Sequence, residues 1–338
     1  MAKKITNAEF IAAWERLRSP VKVAKALGLE IRGVYRRRAL IERSEGIPLK
    51  TDDDVGRVGL KADVRKRVEK LNDQRFTHAE YEAQVALADG TVVVFSDAHY
   101  WPDIVTVAHR ALVEVIKRLR PKMVIANGDV LDGATISRHP RIGWESRPTV
   151  QQEIEAMCLR MREVELAANG AQLVRTFGNH DLRFESYIAA NAPALEGVHG
   201  TSLFDFLPAW RGCYALHLNT NLPGWTVVKH THVAGGVHSA YNSTLRAGVS
   251  YVHGHLHKLQ VVGYGDYRGR RYGIDTGTLA EPKGEQFRYT QGGPLNWCSG
   301  FAVLTYRDGE LLPPELCEVV NGKAWFRGEQ IELNIDAL

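Results

Sequence analysis

The chain has 338 residues, 44% hydrophobic and 24% charged, a balance that suits one or two globular domains and excludes a disordered or fibrous chain. Cys158, Cys213, Cys298 and Cys317 show no paired spacing, which argues against a disulfide or zinc framework, and no long apolar run suggests a signal peptide or membrane span. A cytoplasmic protein that does not contact membranes is expected. The net charge of +4 is unevenly placed: residues 1–50 hold 12 Lys and Arg against 5 Glu, a net of +7, leaving the rest at −3. A basic head on a slightly acidic body calls for an anionic partner.

Thr6-Asn7-Ala8-Glu9 reads as a capping box, followed by Phe10, Ile11, Trp14 and Leu17 at helical spacing. Ser19-Pro20 opens a second short helix through Val23, Ala24 and Leu27, which Gly28 ends. A third helix runs from about Glu30 through Val34, Tyr35 and Leu40. The string from Val23 to Leu29, with Val34-Tyr35-Arg36-Arg37-Arg38 beyond it, resembles a helix-turn-helix of the bacterial and phage regulator type. That resemblance implies that the third helix enters the major groove, with Arg32, Arg36, Arg37 and Arg38 on phosphates or guanine edges. The other reading is a small basic three-helix module that packs on the body or binds protein. Residues 1–50 are thus expected to form a basic domain, 51–90 a linker and connecting segment, and 91–338 the main domain. Asp52-Asp53-Asp54 reads as a solvated loop rather than a metal site. Lys61 to Ala88 reads as a connecting helix or a short pairing segment.

From Gly90 the pattern changes. Thr91–Phe95 is a β-branched run ending in Ser96-Asp97-Ala98-His99, and helical spacing follows through Val107, Leu112, Val115 and Leu119. Met123–Ala126 is a second strand and delivers Asn127-Gly128-Asp129. A helix over about Thr149–Ala168 precedes a strand, Ala171–Phe177, that delivers Gly178-Asn179-His180-Asp181. Strand and helix alternate, which predicts a parallel core. Beyond residue 220, Thr226–Val228 leads to His230, and Val249–Val252 leads to His253-Gly254-His255-Leu256-His257. Hairpins over Gln260–Tyr264 with Arg271–Asp275, and after Phe301–Tyr306, predict a second sheet packed on the first.

Five apolar runs therefore end in metal-ligand side chains, where open α/β sheets collect their ligands. An Asp-x-His alone is common by chance, and a lone histidine after a strand is usually structural. Five in succession are not explained that way. Six histidines fall between His230 and His257, a span of 28 residues.

The blocks Asp97-x-His99, Gly128-Asp129-x-x-Asp132, Gly178-Asn179-His180-Asp181, His230 and Gly254-His255-x-His257 resemble the calcineurin-like metallophosphoesterase superfamily over about residues 91–280. The resemblance implies an α/β/β/α sandwich of two sheets carrying a two-metal centre. It also implies that Asp97, His99 and His257 hold one metal, Asn179, His230 and His255 the other, and that Asp129 bridges them. His180 would protonate the leaving oxygen. A mixed oxygen and imidazole set suits Mn²⁺, Fe or Zn²⁺ better than Mg²⁺, so two divalent ions, Mn²⁺ first, are the expected cofactors. Asp181 is expected to orient His180 and favour its protonated form. His232 competes with His230, which is preferred because it comes first after the apolar run.

The same resemblance covers protein phosphatases, nucleotidases, phosphodiesterases and nucleases, so it does not choose the substrate. Asp132 is followed by Gly133-Ala134 where the protein phosphatases carry arginine, and the third block ends in Asp181 where they carry Glu. That pattern is closer to the repair nucleases and other phosphodiesterases. Arg138, Arg141 and Arg147 are available for phosphate, and Tyr100 and Trp101 for stacking a base, though packing is the commoner use of such aromatics. With the basic head, a DNA nuclease of phage or mobile-element type is expected. A small-substrate phosphatase or cyclic-nucleotide phosphodiesterase with a regulatory head is the alternative, and the sequence leaves a homo-oligomer open.

Overall fold

The computed structural model describes residues 5–51, 80–141 and 143–333, and the chain divides into two compact units, Met1–Arg75 and Phe76–Leu338. The expected linker over 52–60, with its acidic triplet, and the segment 61–79 lie outside the described residues.

The first unit holds three helices, α1 (Asn7–Leu17), α2 (Pro20–Leu27) and α3 (Ile31–Glu45). Thr6 and Glu9 form the expected reciprocal capping box, Ser19 caps α2, and Gly28 closes it in the left-handed conformation. Phe10, Trp14, Val23, Val34, Ile41 and Leu49 make the core. Leu49 lies beyond the last helix, and Trp14 Nε1 donates to the Lys50 carbonyl at 2.9 Å, so the chain past α3 completes this small core.

The second unit begins with β1 (Glu80–Val85), a strand pairing in parallel with β5 (Arg211–Leu218). Of Lys61–Ala88, read as a connecting helix or a short pairing segment, the described part forms this paired strand rather than a helix: Ala83 docks its small side chain in the core and Glu80 pairs with Arg211 at 2.7 Å. Strands β2 (Gly90–Phe95), β3 (Met123–Asn127) and β4 (Gln172–Thr176) then run parallel, joined by helices α4 (Val107–Leu119) and α5 (Val150–Ala168). A helix without a counterpart in the sequence reading, α6 (Asp181–Asn191), follows β4. Next come β6 (Thr226–Val228), α7 (Ser239–Ala247), β7 (Ser250–His253) and the hairpin β8 (Leu259–Asp266) with β9 (Gly269–Thr276). The chain closes with β10 (Gly300–Arg307), β11 (Glu310–Leu311), β12 (Glu315–Val320), β13 (Lys323–Phe326) and β14 (Glu329–Gln330).

These strands form an α/β/β/α sandwich. Side chains alternate along a strand, so Val93 and Phe95 face α4 and α5 while Val92 and Val94 face the other sheet. On that inner side Val94, Ile125, Val174 and Leu304 meet Val228, Val252 and Ile274. The two layers are one hydrogen-bonded path, β14-β13-β12-β10-β2-β3-β4-β5-β6-β7-β9-β8, which folds back through the antiparallel β5–β6 pair. The second layer is only β6 to β9. From β10 onward the chain returns to the first layer, antiparallel to β2, so the expected all-second-sheet C-terminal half is corrected. Trp325 and Phe326 lie on β13, and buried Phe326 extends the helix-side core. None of the four cysteines forms a disulfide, and no described helix is long and apolar enough to cross a membrane.

Candidate metal centre

Five strands deliver side chains to one edge: β2 leads to Asp97 and His99, β3 to Asp129, β4 to Asn179 and His180, β6 to His230, and β7 to His255 and His257. Asp97, His99, Asp129, His255 and His257 all have left-handed backbone, with φ of 52, 39, 54, 70 and 58°. A residue with a Cβ pays about 1–3 kcal/mol for a sparsely populated backbone conformation, and it persists where the surroundings over-determine it. Here the loops are stitched together: Asp97 N–H donates to the Gly128 carbonyl and His99 N–H to the Asp129 carbonyl, both at 3.0 Å. Two glycines make the close approach possible. A Cβ on Gly178 would overlap the Asp129 carboxylate, and one on Gly254 would overlap that of Asp97 and lie 2.5 Å from Ser96 Oγ.

Among the described residues the expected ligands gather in two groups, Asp97 with His99 and His257, and Asp129 with His230 and His255, and a third group shares His99 with Asp132 and His180, each within 4.8 Å. In the first two groups all but His255 are buried. His99 Nδ1 is engaged by Asp132 at 2.9 Å and His230 Nδ1 by the Asn127 carbonyl at 2.8 Å. Their Nε2 atoms are buried and turn toward the carboxylates of the two groups, His230 Nε2 at 3.1 Å from Asp129 Oδ2 and His99 Nε2 at 4.0 Å from Asp97 Oδ1. An imidazole tied at one nitrogen and presented at the other is the arrangement of a metal ligand with an outer partner. Burial alone would push Asp97 up and His230 down. Mutual attraction wins: His257 and His230 hold Asp97 at about 2, and Asp129 and Asp97 hold His230 at about 10. A divalent cation would take the place of such a proton, so the donor set fits divalent metals.

His230 rather than His232 stands in this set. His232 lies outside both groups and stacks on His255, ring centres 5.6 Å apart. His253 is buried beneath, with Nδ1 2.9 Å from the Gly254 carbonyl, and burial pushes it down to about 4. Asn179 is exposed at the lip of a cleft of about 520 Å³ that Trp101, Asp132, His180, Arg183 and Tyr289 also line.

Asp181 does not orient His180. Its carboxylate is buried and accepts N–H bonds from Asp129, Val130, Leu131 and Gly178 at 2.9–3.2 Å, clamping the second block to the third. As the first residue of α6 it points back under the loop, where burial and the Asp129 charge raise its pKa. The partner of His180 is Asp132: His180 Nδ1 lies 2.9 Å from its carbonyl and 3.2 Å from its carboxylate. Burial opposes protonation of His180, but Asp129 and Asp132 outweigh it and raise its pKa. The sequence had shown Asp132 only as the end of a block. Arg183, whose guanidinium lies 2.9 Å from His180 Nε2, and Glu153, which accepts the Gly133 and Ala134 N–H groups, carried no separate signal.

Tyr100 is a core residue, buried with its hydroxyl 3.0 Å from His109 Nδ1, and does not face the cleft as a stacking ring. Arg147 holds its own loop through Glu145 and the Ala134 carbonyl. Arg138 and Arg141 are exposed. In the first unit, Arg37 donates to the Ile5 carbonyl and lies over Phe10, while Arg38 pairs with Glu42 and lies over Trp14. These two guanidinia brace the three helices; Arg32 and Arg36 are exposed on α3.

A model of the calcineurin-like phosphoesterase family matches residues 90–269, a stretch that contains every ligand named above. The Gene 54 protein of Mycobacterium phage L5 is 30% identical over 234 residues, which cover 63% of this chain and 88% of the relative. The Gene 54 protein of Mycobacterium phage D29 is 30% identical over 233 residues, with the same coverage. A zinc-complexed Vps29 from Entamoeba histolytica aligns with a TM-score of 0.39 at 15% identity, covering 72% of this chain and 99% of the other. The extent of the family match, over the strands that build the centre, makes this chain a member of the calcineurin-like phosphoesterase family, a metal-dependent phosphoester hydrolase.

Proposed function

We propose that the protein is a two-metal phosphodiesterase that cleaves DNA, of phage or mobile-element type, working in the cytoplasm with Mn²⁺. The observation that carries the nucleic-acid reading is the basic first unit, net +7 over residues 1–50, joined to a phosphoesterase body. Exposed Arg32 and Arg36 on α3 are its DNA contacts, with Arg37 and Arg38 as partly exposed neighbours. A module that holds the phosphate backbone raises the local concentration of substrate for a tethered enzyme. The two phage relatives and the glycine after Asp132 support the same reading.

Asp97, His99 and His257 would hold one cation and Asn179, His230 and His255 the other, with Asp129 between them, supplying Lewis acidity and a more acidic water. The chain's own groups do the rest. Asp132 fixes the rings of His99 and His180. His180, at the cleft, is the residue suited to protonate the leaving oxygen. Asp181 holds the Asp129 loop rigid through its N–H bonds.

The cleft of about 520 Å³ has the size of a small-molecule site, and it favours the second reading: a small-substrate phosphatase or cyclic-nucleotide phosphodiesterase with a regulatory head. The deciding experiment incubates Mn²⁺-loaded protein with single- and double-stranded DNA, mononucleotides, cyclic nucleotides and bis-p-nitrophenyl phosphate. Cutting of DNA is expected, weakened by deletion of residues 1–50 while the small ester is spared. Brisk mononucleotide hydrolysis with intact DNA would falsify the nuclease reading.

A further inference from the structure

We infer that Arg183 is a substrate-binding residue: its guanidinium takes a non-bridging oxygen of the phosphoester and in doing so releases Nε2 of His180. Arg183 stands on α6, lines the cleft beside His180 and Asn179, and is half-buried. One of its terminal nitrogens donates to the Asp132 carbonyl at 2.9 Å and the other lies 2.9 Å from His180 Nε2. No carboxylate lies within ion-pairing distance of it among the described residues, whereas Arg147, in the same cleft, is paired with Glu145. Glu153 feels the Arg183 charge at longer range but is bonded to the Gly133 and Ala134 N–H groups, so this half-buried guanidinium has no carboxylate directly against it and can take an anion.

The contact with His180 sharpens the inference. A guanidinium has five N–H donors and no acceptor, so the imidazole nitrogen it faces must be the acceptor. The ring proton is then on Nδ1, which donates to Asp132. In that arrangement Nε2 is covered. An incoming phosphoester offers the guanidinium a charged acceptor, stronger than a neutral imidazole nitrogen. Transfer of that N–H bond to the substrate uncovers the Nε2 lone pair, which must take up a proton from water before His180 can give one to a leaving oxygen.

The inference rests on phosphoester chemistry alone and is indifferent to whether the ester belongs to DNA. Arg183→Lys and Arg183→Gln are compared with wild type, each loaded with Mn²⁺. Metal content, KM and kcat for bis-p-nitrophenyl phosphate, and calorimetric binding of inorganic phosphate are measured. Loss of a charge-assisted hydrogen bond should weaken phosphate binding and raise KM roughly 10- to 100-fold in the Gln variant. Lys should be intermediate, and metal content unchanged in both. A fall in kcat with phosphate affinity intact overturns the inference, because that is the mark of a residue that only props His180. Loss of metal in both variants overturns it as well. Arg183-dependent phosphate binding in a protein that hydrolyses no ester would support the inference while sinking the proposed activity.

Discussion

Asp132 accepts a hydrogen bond from His99 Nδ1 at 2.9 Å, and the same carboxylate oxygen lies 3.2 Å from His180 Nδ1. One side chain thereby sets the ring of a metal ligand and the ring of the residue assigned to proton transfer. Burial would raise the Asp132 pKa, but the two imidazoles reverse that and keep it ionised, as an acceptor for both.

Asp132→Asn should therefore damage both functions together. Metal affinity should fall about 10- to 100-fold, the usual consequence of losing an outer partner of a ligating histidine. Turnover measured at saturating metal should still be reduced, because His180 loses its anchor. Full turnover at saturating metal would show that His180 does not depend on Asp132.

Gly178→Ala tests the close approach behind Asp129. The added Cβ meets the Asp129 carboxylate and its backbone N–H, so the β4 turn must move away. A cost of about 1–3 kcal/mol in stability is expected, as for other overpacked sites. Metal content should fall with it. A variant that melts like wild type and retains its metal would mean that the turn relaxes freely.

Metal binding should release protons. His230 is held at about 10 by Asp129 and Asp97 and is charged at pH 7, yet a ligating imidazole must be neutral. Calorimetric titration of the metal-stripped protein with Mn²⁺ in two buffers of different ionisation enthalpy should show about one proton released per centre at pH 7. Equal heats in the two buffers would contradict this. Affinity should rise with pH, and the rise should level off above the His230 pKa.

Glu153 carries a pH signature in stability. Burial, reinforced by the Asp132 charge, raises its carboxyl from 4.5 to about 7 although the Gly133 and Ala134 amides oppose this. A raised carboxyl binds its proton more tightly in the folded state. Its contribution is greatest below pH 4.5 and is lost as pH climbs to 7. Glu153→Gln removes that loss. Relative to wild type, the variant should gain on the order of 3 kcal/mol between the two ends of that window. Denaturant melts at several pH values check it; a constant gap between the two proteins would rule it out.

Much of the centre was legible in the sequence for a covalent reason. Asp97, Asp129, Asn179, His230 and His255 each follow a β-branched or apolar run by two or three residues, so placing the strand end places the side chain. Helix ends were legible likewise, since Thr6, Ser19 and Thr149 satisfy N–H groups only three residues away. Partners brought together from distant segments were not. Asp181 adjoins His180 in sequence, but the α6 turn aims it at the Asp129 loop, while Asp132 reaches His180 across 48 residues. Nothing local in β10 distinguishes pairing with β2 from joining a second sheet, because the strand is apolar on both faces, Phe301 and Val303 on one and Ala302, Leu304 and Tyr306 on the other, and a strand in either layer would bury both. Local spacing thus determined which residues arrive at the strand ends. Only the tertiary structure decided which carboxylate each imidazole meets and that Arg183 reaches His180, because hydrogen bonds form between side chains that the folded backbone brings within about 3 Å, whatever their separation along the chain.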